Sequence, residues 1–148
     1  MKGELMMHEV HSATAVRNNW GQFIDDVIRK GPQFVKRNRD EWAALSSEHL
    51  RAAFESFQFE AELLKEVDGS TTAVIKGFDI VSNGENEEKA LDELTELLID
   101  YAKVYRADFE LYYRSPNRRA HFPYIMNVLI QENREEVRKL IQCQVGEK

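Results

Sequence analysis

Apolar residues recur with helical spacing at Trp20, Phe23, Ile24, Val27 and Ile28, an i, i+3, i+4, i+7, i+8 pattern that predicts a helix with one buried face. Upstream, Met6 to His11 reads as a short strand, and Ser12 or Thr14 can accept backbone N–H groups as a helix cap. Gly31-Pro32 stops the helix, because glycine takes a left-handed terminal conformation and proline cannot continue the ladder. Gln33 to Arg37, a turn around Asn38-Arg39-Asp40, and Trp42 to Leu45 together predict a β-hairpin. Ser46 or Ser47 then caps a helix whose apolar positions are Leu50, Ala53, Phe54 and Phe57.

The pattern changes period after that. Phe59 to Val67, the hairpin dipeptide Asp68-Gly69 and the β-branched run Thr71 to Ile75 predict two antiparallel strands, and Phe78 to Val81 a third that ends at Asn83-Gly84. From Asn86, residues Ala90, Leu91, Leu94, Leu97, Leu98, Tyr101, Tyr105 and Phe109 hold helical spacing for about six turns. Ser115-Pro116-Asn117 breaks that pattern, and a shorter helix from Pro123 to Ile130 runs on towards Ile141. The expected fold class is α+β. Residues 1–57 form a β-α-β-β-α module, and residues 58–148 a hairpin-and-helix module with C-terminal helices. The first module is too small for an ample core, since a domain of ~60 residues buries only roughly 60% of its unfolded surface, so it is expected to dimerise.

Composition adds what the pattern leaves open. Of 148 residues, 43% are hydrophobic, enough for a packed core. Cys143 is the single cysteine, so neither a disulfide framework nor a cysteine-rich zinc site can form, and the reducing cytosol is the expected compartment. There is no apolar run of about 18 residues and no charged start leading into an apolar stretch, so no membrane span or signal peptide is expected. A net charge of −6 argues against nucleic acid, but its distribution weakens the objection. Residues 1–58 hold eight Lys/Arg and eight Asp/Glu, whereas residues 59–148 hold twelve and eighteen. Within the balanced part Lys36, Arg37 and Arg39 lie close together, and Arg17 precedes Asn18-Asn19.

Ser12 to Trp20, followed by an amphipathic helix, Gly31-Pro32 and Val35-Lys36-Arg37-Asn38-Arg39, resembles the prevent-host-death (Phd/YefM) antitoxin family over residues 6–57. The resemblance implies a homodimer, or a higher even-numbered oligomer, that grips operator DNA and represses the genes of a toxin-antitoxin pair. Carried over residue by residue, it assigns DNA binding to Arg17 and Asn18 at the helix start and to Lys36, Arg37 and Arg39 at the hairpin. Arginine's planar fork reaches bases or phosphates, and cations on a turn suit phosphates. Two departures stand out: Asn38 replaces the usual turn glycine, and Asp40-Glu41 follow where uncharged residues are usual. Residues 58–148 resemble a HicB-type module through Gly77 to Gly84 and Glu88-Lys89-Ala90-Leu91, which implies a folded toxin-binding part.

The remaining candidates have plainer readings beside the sharp ones. The hairpin cations could be a solvated edge that blocks strand aggregation. Arg114, Arg118, Arg119 and His121 could cap and solvate an inter-helix loop, or dock an acidic partner or nucleic acid. His121, beside Phe122 and Tyr124, reads as a packed histidine, for no nucleophile is fixed near it. Asp79, Glu93 and Asp100 raise a metal-nuclease reading, but Glu93 and Asp100 are two helical turns apart, about 10.5 Å along the axis. No nucleophile-base pair, metal cluster or phosphate loop points to an enzyme, so no catalytic residue, metal or cofactor is expected. The reading is therefore an antitoxin that binds operator DNA and its toxin. Its rival is a dimeric interaction module that has lost DNA binding.

Overall fold

A computed structural model describes residues 7–144. Met6, which opens the expected first strand, and the outermost residues of both expected modules lie outside the described residues. The chain divides into two compact units, residues 1–53 and 54–148. Both are mixtures of helix and strand, and each has its own sheet.

The first unit begins with β1 (Val10–Ser12), α1 (Ala13–Asn18) and α2 (Trp20–Lys30), continues through β2 (Gln33–Arg37) and β3 (Asp40–Ala44), and ends in α3 (Ser47–Phe54), whose last residue opens the second unit. Its sheet has the order β1-β2-β3, with β1 parallel and β3 antiparallel to β2. Ser12 Oγ accepts from Ala15 N–H at 3.1 Å and so starts α1. The single helix expected from there to Lys30 is in fact two. Asn19, at φ −130° and ψ 48°, leaves helical geometry, and its backbone N–H closes α1 on the carbonyls of Ala15 and Val16. Apolar spacing runs through this break, which is why periodicity did not reveal it.

Four residues, Val16, Phe23, Val27 and Val35, make the core of the first unit. Only Phe23 and Val27 of the expected apolar face of α2 are buried. Trp20, Ile24 and Ile28 remain 56%, 42% and 51% exposed, and Trp42 on β3 remains 45% exposed. The apolar arc of α2 is thus wider than the three-stranded sheet beneath it can cover.

The second unit sets β4 (Phe59–Lys65), β5 (Thr71–Ile75) and β6 (Ile80–Gly84) in an antiparallel meander. Its long helix α4 (Glu87–Ala107) is capped by Asn86 Oδ1, which accepts from Lys89 N–H at 2.8 Å. Alternate strand residues Phe59, Ala61, Ala73, Ile75 and Ile80 pack with Ala90, Leu91, Leu94, Leu98, Ala102 and Tyr105 of this helix in one core. The helix ends at Ala107, two residues short of the last periodic position expected, and α5 (Phe109–Arg114), α6 (Pro116–Arg119), α7 (Phe122–Leu129) and α8 (Arg134–Arg138) follow. The third strand lies later than expected, because Gly77 and Asp79, both with positive φ, turn the chain at Phe78.

The expected run of helix towards Ile141 is corrected at its end. Residues Ile141–Gln144 form β7, which pairs parallel to β4 with Ile141 opposite Phe59, giving the order β6-β5-β4-β7. Burial of Ile141 beside Phe59 favours this pairing over a further helical turn.

Candidate nucleic-acid interface

The basic cluster is built by a tight hairpin. β2 and β3 pair from Gln33 opposite Ala44 to Arg37 opposite Asp40, which leaves Asn38 and Arg39 as the turn. Two-residue hairpin turns favour left-handed φ, and Asn38 takes it at 57°. Asparagine thus does at this position what glycine would otherwise do. Lys36, Arg37 and Arg39 are all exposed around that turn.

Register then brings a second basic element to the same end of the sheet. Because β1 runs parallel to β2 with Ser12 opposite Lys36, α1 starts beside the basic end of the hairpin. Arg17 lies five residues on, no more than about 7.5 Å further along the helix axis. Expected at a helix start, Arg17 and Asn18 instead occupy the last turn of α1, directly before the break and the first residue of α2. Both are exposed.

Asp40 and Glu41 face Arg37 and Lys36 in the register but form no ion pair with them. Glu41 Oε2 is held by His8 Nε2 at 3.1 Å. Among the described residues none of Arg17, Lys36, Arg37 and Arg39 forms an ion pair. Exposed cations without an ion-pair partner on a turn and an adjoining helix are open to phosphate oxygens.

The second basic group, in the other unit, is committed to packing. Arg118 lies over the rings of Tyr101 and Tyr112, at 5.4 Å and 5.2 Å from their centroids, and Arg119 lies 4.7 Å from that of Tyr113. Arg114 pairs with Glu110 one helical turn away at 3.0 Å. His121 stacks on Phe78 with centroids 4.1 Å apart. Its Nε2 donates to the Gly77 carbonyl at 2.9 Å, so in the neutral ring Nδ1 accepts from Tyr101 O–H at 2.7 Å. Tyr105 O–H donates to the Arg118 carbonyl at 2.9 Å, tying α4 to α6.

Burial holds the His121 pKa below its ordinary value, against the opposing pull of the Gly77 carbonyl. The unfolded chain therefore binds a proton that the folded chain resists. Stability from this group is present above about pH 6.5 and is lost as pH falls through that value towards the depressed folded pKa. We expect the urea midpoint of the second unit to drop between about pH 7.5 and about pH 5.5, and the drop to shrink in His121→Gln. Equal pH dependence in wild type and variant would remove His121 as its source.

The scattered carboxylates stay scattered. Among the described residues no group of three or more His, Cys, Asp or Glu side chains is placed to hold a metal ion, and no helix is long and apolar enough to cross a membrane.

A family model described as "Antitoxin of toxin-antitoxin, RelE / RelB, TA system" (PHD_like) matches residues 6–143. The chain is also similar to the crystal structure of an antitoxin from Syntrophomonas wolfei subsp. wolfei, with 40% sequence identity and a TM-score of 0.86. That alignment covers 92% of this chain and 98% of the other. No curated protein matches the chain.

Proposed function

Because this chain belongs to the PHD-like family, antitoxins of RelE/RelB toxin-antitoxin systems, we propose that it binds operator DNA as a homodimer through its first unit and neutralises a toxin protein through its second. The observation that carries the DNA half is the unpaired cation cluster, with Lys36, Arg37 and Arg39 around the Asn38 turn and Arg17 on the helix that starts beside it. The Phd/YefM-like reading of residues 6–57 gives these positions the same role. The HicB-like reading of residues 58–148 gives the second unit the toxin.

Dimerisation accounts for the exposed half of α2. Trp20, Ile24 and Ile28 lie on one line of that helix at i, i+4, i+8, and a four-residue core supports little stability alone. A second copy supplies the missing cover, and it doubles the cation cluster about a two-fold axis, which suits two half-sites one duplex turn apart.

The test is a gel shift on the DNA upstream of the chain's own gene at two salt concentrations. We expect saturable binding that weakens as salt rises. Arg17→Ala is expected to lower operator affinity roughly 10-fold, the scale of one lost side-chain contact to a base, while sedimentation still reports a dimer. Equal affinity would remove Arg17 from the interface. Absence of binding even at low salt would leave a dimeric protein-interaction module, a reading that the acidic total charge supports.

A further inference from the structure

The second sheet has two faces with different chemistry. One packs under α4 in the core. The other carries the alternate residues, and there Leu64 and Val81 are 45% and 54% exposed. Register aligns Glu62 with Val74 and Val74 with Val81 across three strands, so an aliphatic row runs from the β6 edge straight into an acidic strand. On β4, Glu60 and Glu62 project from the same face about 6.7 Å apart along the strand.

Neither Glu60 nor Glu62 has an ion pair among the described residues. Lys76, whose backbone N–H donates to the Glu60 carbonyl, lies beside these acids and gives its amine to Gln144 Oε1 at 3.0 Å, opposite Glu62 in the register, so the strand keeps a net negative charge. The face is thus mixed: Thr72, Asn83, Gln142 and Gln144 supply polar groups, and Leu64, Val74 and Val81 form an aliphatic strip beside the acids of β4.

We propose that this open sheet face receives the toxin, through a basic patch on the toxin that also presents an apolar anchor to Leu64, Val74 and Val81. The inference rests on the reading that the second unit holds the toxin, and it names the surface. Charge complementarity selects the occupant: the face is acidic, and residues 59–148 hold eighteen acids against twelve cations. The apolar groove of about 330 Å³ between α4, α5 and α7 has only Arg106 to suggest a partner's charge.

The experiment uses the full chain and the purified protein encoded by the neighbouring reading frame, with affinity measured at two salt concentrations. The wild type is expected to bind, and less tightly as salt rises. Val81→Arg and Glu62→Lys are each expected to weaken binding at least 30-fold with unchanged far-ultraviolet circular dichroism and melting. Glu93→Lys, an equal charge change on exposed α4 surface, is expected to stay within threefold. If the wild type binds and both face variants bind equally well, the face is not the dock, while the toxin-binding reading stands. If the wild type does not bind, both fail. If Val81→Arg instead lowers the number of protomers in sedimentation and leaves toxin affinity unchanged, the face belongs to a second copy and the proposal is overturned.

Discussion

Replacing Lys36, Arg37 and Arg39 together by alanine is expected to abolish operator binding at physiological salt, with affinity lowered roughly 100-fold or more and the loss similar on any DNA sequence. Each phosphate contact releases counterions worth about 0.9 in the slope of log affinity against log salt. Three such contacts per protomer, doubled in a dimer, should flatten that slope by about 5. The fold should survive, because these side chains are exposed and the turn geometry belongs to Asn38. Arg17→Ala should act differently, through sequence preference more than through salt dependence. The measurement is a salt titration of operator binding on cognate and scrambled DNA. An unchanged slope in the triple variant would mean that the hairpin is a solvated edge, and the phosphate contacts would have to be sought elsewhere.

These cations were legible in the sequence because they are close together along the chain and need no tertiary information to be noticed. What could not be read was the pairing of Ser12 with Lys36, which brings α1 to the hairpin. Likewise α2 and α4 were legible from their apolar spacing, but the division of α2 into a buried and an open stripe depends on how much sheet lies beneath it. The break at Asn19 interrupts the backbone without interrupting the periodicity. Four residues of β7 carry no strand signature of their own, and their partner, β4, lies about eighty residues away. The commitment of Arg118 and Arg119 to tyrosine rings was invisible for the same reason: spacing shows that charges are near one another in sequence, not which rings they meet. Local chemistry was readable, and non-local pairing was not.

The largest stability loss is expected from the smallest change, Gly84→Ala. A Cβ built at Gly84 would lie 2.4 Å from Ala90 N, 2.7 Å from Lys89 C and 2.9 Å from Ala90 Cα, all backbone atoms of the first turns of α4. That turn cannot retreat easily. Asn86 caps it through Lys89 N–H, Ala90 N–H is bonded to the Asn86 carbonyl at 3.0 Å, and Ser82 Oγ donates to the Ala90 carbonyl at 2.6 Å from within the same strand. Ala90 itself is fully buried against the sheet. The added methyl must therefore pry β6 from α4, the pair of elements that anchors the core, at a cost of about 3 kcal/mol, the upper end for overpacking. Gly69→Ala is the contrasting case. Its φ is 91°, with nothing within 4 Å of the added methyl, so only backbone strain is introduced, roughly 1 kcal/mol. Both tryptophans, Trp20 and Trp42, lie in the first unit, and all five tyrosines lie in the second. Urea unfolding can therefore be followed in each unit by its own chromophore. Gly84→Ala should lower the tyrosine-reported midpoint by about 1.5 M, given a slope near 2 kcal/mol per M, and leave the tryptophan-reported midpoint in place. If the tryptophan transition moved with it, the two units would unfold as one cooperative body, and neutralisation and repression would be coupled through folding and not divided between separate parts.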